Sequence, residues 1–314
     1  MDVISSAAQI PKVSSEGIKV ADSIIKWVKL RHQTAQDAKN CLELLGLDRN
    51  SDYSFRVGMQ HPLMQLGTPH PDDAEAFTSI FTPKLLKHPD DIITSSKEIY
   101  SPLSDNIVAI GSPEAEVLTQ ILFGYDRIEG SGLHYTGDTI DLPYRWLENS
   151  SEVSTEYLRP GDSGEDQWRP NWPIVSEIGA KQRKLYPEVG KDGRLRSDYL
   201  LITRVPNYLG DGVGLGRSFI SIAGSHGIGT KAIKLFVRNK YILAKVWSEL
   251  GGPSNHDSFQ ILCRANRVVP RGNSFEATGL ELIDVQVIDS SDIKWESARE
   301  YATHRMRALM LDRT

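Results

Sequence analysis

Cysteine is scarce: only Cys41 and Cys263 occur, far apart in a chain of 314 residues. That excludes a disulfide framework and any cysteine-based metal spacing, and it suits a reducing compartment. Each thiol reads as a small buried apolar group. Long apolar runs are missing as well. None approaches the roughly 18 residues that a membrane span requires, and the opening Met1-Asp2-Val3-Ile4 lacks the basic flank and apolar core of a secretion signal. The expectation is a cytoplasmic protein with no membrane association. Basic residues are not in excess either. Lys+Arg number 36 against 41 Asp+Glu, a formal net charge of -5, which argues against a nucleic-acid surface. Hydrophobic residues at 39% against 25% charged exclude a disordered chain. The length allows one large domain, or one domain with a helical appendage.

The N-terminal part, 1–50, predicts a helix over about 18–45 with Gly46 as its stop. Ala21, Ile24, Val28, Arg31, Ala35, Ala38, Leu42 and Leu45 recur in steps of three and four. This seam fits either self-association or docking of a partner, or a helix laid on the same chain. Residues 51–104 read as an irregular connector punctuated by His61-Pro62, His70-Pro71-Asp72-Asp73 and His88-Pro89-Asp90-Asp91, with a short helix over 72–81. The His/Asp groups are expected to be turns and caps, not metal ligands.

From 105 onward the pattern is α/β. Asn106-Ile107-Val108-Ala109-Ile110 is a continuous apolar run, as in a strand buried on both faces. Gly111-Ser112-Pro113 ends it, and a helix over 114–123 is predicted, capped by Ser112. Glu114 and Glu116 stand near that helix start. They either complement its dipole or face a pocket, where a carboxylate could bind ribose hydroxyls or stabilise an oxocarbenium ion during N-glycosidic cleavage. Residues 130–196 form an aromatic, turn-rich insertion of the kind that makes a lid or a satellite core.

Strands are predicted at 198–205 and 218–222. The link between them is too short for a crossover helix, which favours antiparallel pairing. The second strand leads into Gly224-Ser225-His226-Gly227-Ile228-Gly229-Thr230 and a long helix over 232–250. This order, G-x-x-G-x-G, is neither the dinucleotide fingerprint nor a Walker loop. Strand, glycine-rich turn and helix together still point to an anionic, nucleotide-type ligand held at Gly111, Ser112, Gly224, Ser225, His226, Gly227, Gly229 and Thr230. A rival is a nucleophile elbow around Ser225, with Asp257, Asp284 or Asp289 and then His304 as partners. A hairpin of 259–264 with 280–288 and a last helix over 292–311 complete the chain.

The stretches 106–113, 198–207 and 222–230 together resemble a poorly characterised Rossmann-like domain of bacterial regulatory and defence-type proteins. The resemblance implies a three-layer α/β fold with a mixed sheet and a ligand-sensing role, and it supplies no catalytic residues. Where similar chains often carry asparagine after the first loop, Glu116 stands here.

Overall fold

The computed structural model describes residues 39–46, 53–57, 70–80, 92–93, 106–128, 132–136, 140–147, 156–158, 169–176, 178, 182–209, 216–252, 257–272, 274–289 and 294–311. The chain opens, within these, on the helical residues 39–44 (α1). β1 (Tyr53–Val57), α2 (Pro71–Ile80), β2 (Ile92–Ile93), β3 (Asn106–Ile110) and α3 (Val117–Phe123) follow. The middle contributes short strands: β4 (Tyr125–Ile128), β5 (Gly132–Tyr135), β6 (Tyr144–Trp146), β7 (Glu156–Tyr157), β8 (Arg169–Pro170), β9 (Ile174–Ser176) and β10 (Arg183–Leu185). Then come β11 (Asp198–Pro206), β12 (Ser218–Gly224), α4 (Gly227–Lys231), α5 (Ile233–Val237), α6 (Lys240–Glu249), β13 (Phe259–Arg271), β14 (Ser274–Val287) and α7 (Trp295–Leu311).

The fold is mixed α/β around a mixed sheet in the order β14-β13-β11-β12-β3-β1-β2. β12, β3, β1 and β2 run parallel, whereas β11, β13 and β14 pair antiparallel. β3 and β12 are buried along their whole length, which is why their sequences show apolar runs instead of alternation. Side chains alternate between two apolar clusters. On one face Ile107, Ala109, Phe219 and Ala223 pack with α3, α7 and the β6 region. On the other, Val108, Ile110, Ile220 and Ile222 pack with α1, α2, α5 and α6. Gln260 fastens β6 to the first face: its Oε1 accepts from Tyr144 N–H at 2.7 Å, and its Nε2 donates to Tyr144 O at 3.0 Å and Thr203 Oγ1 at 2.9 Å.

Several expectations need correction. Residues 51–104 are not merely a connector, because β1 pairs with β3 over five residues and carries β2 on its other side. The long helix over 232–250 is instead a series of short ones. Asn239 leaves helical geometry at φ -100, ψ 87, and its side chain caps the next helix by accepting from Tyr241 N–H and Ile242 N–H. The helix after β3 begins at Val117, not at 114, because residues 112–116 form a turn in which Ser112 O accepts from Ala115 and Glu116 N–H. The hairpin is longer than predicted, β13 and β14 running to a turn at Gly272 with φ 59.

The described end of the N-terminal helix lies on its own chain, with Cys41, Leu44 and Leu45 buried in the α2/α6 cluster. Gly46, at φ +71, turns the chain out of α1 as a left-handed stop. Arg204 is buried beside it and donates to Leu44 O at 3.2 Å and to Ser218 Oγ at 3.2 Å. Thus a guanidinium answers a carbonyl at the helix C-terminus. The seam positions from Ala21 to Ala38, as well as His61 and His88, lie outside the described residues. No helix among the described residues is long and apolar enough to cross a membrane.

Candidate functional site

β3 and β12 are parallel neighbours, with Ile222 beside Ile110, so the Gly111 and Gly224 turns emerge at the same edge of the sheet. A hydrogen bond from Gly111 N–H to Ile222 O, at 3.0 Å, joins them. At φ 133 the Gly111 backbone takes a conformation that side chains disfavour. The helices that follow the parallel strands leave on different faces: α3, after β3, joins one apolar cluster, and α2 and α5, after β1 and β12, join the other. Divergence of this kind opens a crevice outside the carboxyl ends of parallel strands. This crest gathers the 111–116 turn, the start of α2 and the 224–226 turn.

The glycine-rich turn is packed against the protein's own atoms. Asp198, the first residue of β11, is fully buried, and its carboxylate lies at the start of α4. It accepts from Gly229 N–H at 2.6 Å, His226 N–H at 3.2 Å and Tyr199 N–H at 2.8 Å, and its Oδ1 lies 3.2 Å from His226 Nδ1. The main-chain donors of His226 and Gly229 are therefore satisfied internally. The His226 ring, 6% exposed, is turned inward. Its Nε2 faces Trp172 N–H at 3.4 Å, and Tyr157 packs edge-on with 4.6 Å between ring centroids. The aromatic insertion is thereby attached to the crest, while Trp146 lies in the core against Phe123.

The glycines themselves are dictated by these approaches. A Cβ on Gly224 would run into His226 O and Thr230 N, one on Gly227 into the Asp72 carboxylate, and one on Gly229 into Tyr199 O. Thr230 does not cap a helix. Its Oγ1 instead accepts from Gly224 N–H at 2.9 Å, closing the turn. Lys231 is buried, and its ammonium meets Asp72 Oδ1, Ser274 Oγ and Phe275 O, each at 2.8 Å. Three acceptors match its three protons.

On the α3 side, Glu116 is the helix cap, its Oε2 accepting from Thr119 N–H at 2.6 Å. It is 7% exposed, and Glu114 lies half-buried in the preceding turn. Asp73, in the first turn of α2, is 3% exposed. Burial raises its carboxyl from 3.8 to about 8, with Asp72 and Glu116 adding negative charge and the Thr230 hydroxyl partly offsetting them. Asp73 thus keeps its proton at neutral pH. His70 belongs to the same helix start, its carbonyl accepting from Asp73 and Ala74 N–H. No group of three or more His, Cys, Asp or Glu placed to hold a metal is found among the described residues.

Ser225 sits between the two halves of the crest. Its N–H donates to Tyr199 O at 3.1 Å, one residue beyond the β11–β12 pairing. It is 4% exposed, and its Oγ has no hydrogen-bond partner among the described residues. The residues weighed as its catalytic partners are not brought to it. Asp257 pairs with Arg204 near the other end of β11. Asp284, on β14 and three strands from β12, accepts from the Tyr144 hydroxyl of β6. Asp289 follows β14 next to Ile288, which bonds Ser258 at the end away from the crest, and His304 lies on α7.

Sequence reasoning missed Asp198 and the burial of Asp73. A charge opening a nine-residue apolar strand was the available signal for Asp198. For Asp73 it was the doubled aspartate at the start of a helix with an apolar face. No family model, curated protein or solved structure matches the chain.

Proposed function

We propose that the crest of β1, β3 and β12 binds a nucleotide-type small molecule, and that the chain is a cytoplasmic sensor module. On this proposal the fold is a three-layer, Rossmann-like arrangement serving bacterial signalling or defence, as the resemblance of its strand–turn segments implies. The observation that carries it is the divergence of α3 from α2 and α5 around the β3 turn, since open parallel sheets bind ligands at such points. The ligand would contact Gly111, Ser112 and Ser225, with Glu114 and Glu116 alongside. The remaining residues of the glycine-rich turn hold the crest in shape through Asp198 and Thr230. α1 is anchored by Arg204 at the opposite end of β11, where an N-terminal helix could relay the bound state or pair with another copy.

The test is a thermal-shift screen of nucleotides and dinucleotides on the purified chain, since a ligand that binds only the folded state raises its melting temperature. Saturable stabilisation without turnover is the expected result. An absence of any shift across the panel contradicts the proposal.

A second reading is an N-glycosidic hydrolase, favoured by one observation: a carboxyl that holds its proton, Asp73, stands near Glu116. An acid and a carboxylate with separated pKa values form the usual pair for glycosidic cleavage. Release of nicotinamide from NAD, lost in Glu116→Gln, supports it. Glutamine keeps an acceptor for Thr119 N–H, so the helix cap survives the substitution.

A further inference from the structure

We infer that α2 is a latch over the glycine-rich turn, closed by the proton on Asp73 and released on its own, ahead of the rest of the fold, when that proton leaves. This device operates whether or not the crest takes a ligand. α2 has ten residues, below the length at which an isolated helix holds in water. It is kept in place by one face, on which Asp73, Ala76, Phe77 and Ile80 are buried. One of those four side chains is a carboxyl, so three apolar groups do the holding. Segments with few buried apolar contacts open at lower free energy than the core. The first turn of α2 lies against the glycine-rich turn, since a Cβ on Gly227 would meet the Asp72 carboxylate.

Asp73 sits where an ionised carboxyl has little to answer it. The lysines that reach α2 are taken. Lys231 of α4 meets Asp72 at 2.8 Å, with Glu75 at 4.0 Å, and Lys234 of α5 meets Glu75 at 3.2 Å and Glu276 of β14. No cation among the described residues pairs with Asp73, whose partner is the Thr230 hydroxyl. That hydroxyl accepts from Gly224 N–H at 2.9 Å, which leaves it one proton to give. The charges that act on Asp73, those of Asp72 and Glu116, are negative. Two histidines stand near the same turn. The His70 carbonyl accepts from Asp73 N–H at 3.1 Å, and the His226 ring is engaged by Asp198. A carboxylate at this position would be buried, opposed by two like charges and answered by one hydroxyl. The protonated form escapes all three, in keeping with a carboxyl pushed up to about 8. The chain from Gly224 N–H through Thr230 to Asp73 ties the latch to the turn that ends β12, so both respond to one proton.

The experiment is hydrogen exchange on the full chain from about pH 5 to about pH 9, each rate taken against the intrinsic rate at that pH, so that protection reports opening. The closed state holds the weaker acid, so acid favours it. Protection of α2 should fall about tenfold per pH unit up to about 8, because opening releases one proton, and level off beyond. At every pH it should lie at least about tenfold below that of β3 and β12, which exchange through global unfolding. Asp73→Asn should abolish the α2 slope, and His70→Gln should keep it. Glu116→Gln keeps the α3 cap and removes one like charge, so the levelling-off should move to lower pH. A flat α2 profile in the wild type, or equal protection in α2 and the two strands, overturns the inference. So does a slope that survives Asp73→Asn or is lost in His70→Gln, or a levelling-off that Glu116→Gln leaves unmoved. Should Asp73→Asn fail to fold, the wild type and Glu116→Gln decide the matter.

Discussion

Replacing Asp198 with alanine tests the claim that the α4 turn is occupied from within. The carboxylate accepts from three main-chain N–H groups at 2.6 to 3.2 Å and flanks His226 Nδ1 at 3.2 Å. Its side chain is 0% exposed, so solvent does not stand ready to replace it. Truncation strands three buried donors, each costing about 1–3 kcal/mol if unsatisfied. Water entering the vacated space recovers part of this, and the net expected loss is about 3–5 kcal/mol, comparable to breaking a buried charged pair. Asp198→Asn keeps the volume and one acceptor oxygen but turns an amide NH2 toward donors, for an expected loss of about 1–3 kcal/mol. Urea unfolding followed by tryptophan fluorescence measures both, as a shift in midpoint at constant slope. Acetate or phosphate should restore part of the lost stability in Asp198→Ala and do nothing comparable for the wild type, because the freed donors at a helix start take an anion. A loss below about 1 kcal/mol for Asp198→Ala, or the same anion response in both proteins, would refute the assignment.

Asp73 supplies a pH signature. Its carboxyl is held at about 8 in the folded chain against an ordinary 3.8, so the unfolded chain gives up this proton first. Stability should therefore fall as pH rises from about 4 to about 8 and level off beyond. Asp73→Asn should remove that slope and be the more stable protein at pH 7; parallel urea midpoints for the two across this range would count against it. Gly229→Ala drives a methyl group into the Tyr199 carbonyl and should cost about 3 kcal/mol or more, read as a lowered urea midpoint or loss of soluble protein. Gly46→Ala combines the positive φ with contact against the Arg204 guanidinium, for about 1–2 kcal/mol. In an Arg204→Ala background that cost should shrink, and an unchanged cost would separate the two residues.

The middle of the sheet was legible because burial on both faces writes itself into composition. β3 and β12 are unbroken apolar runs ended by glycine, and the short link before β12 forces its antiparallel pairing with β11. β1 and β2 were not legible. Five and two residues long, β1 is a strand because β3 lies beside it and β2 because β1 does, and nothing local reports such parallel neighbours so far along the chain. Asn239 broke the expected long helix by offering its own side chain to the following N–H groups, a competition that apolar periodicity does not register. At the crest, the positions of Gly111, Ser112 and Ser225 followed from strand ends. The role of Asp198 did not, since its acceptor oxygens serve groups 28 and 31 residues further on.

The three glycines at 224, 227 and 229 carry a more general point. A glycine after a strand signals that something comes too close for a side chain, and the signal is the same whether that neighbour is a phosphate or the chain itself. Here the neighbours are Thr230, the Asp72 carboxylate and the Tyr199 carbonyl. Asp198 completes the imitation by placing a carboxylate on donors that an anionic ligand would otherwise claim. A turn that carries its own anion is rigid and electrostatically satisfied before anything binds. Beside that turn the Ser225 hydroxyl is buried with no hydrogen-bond partner among the described residues, the opposite of the internal satisfaction that Asp198 provides.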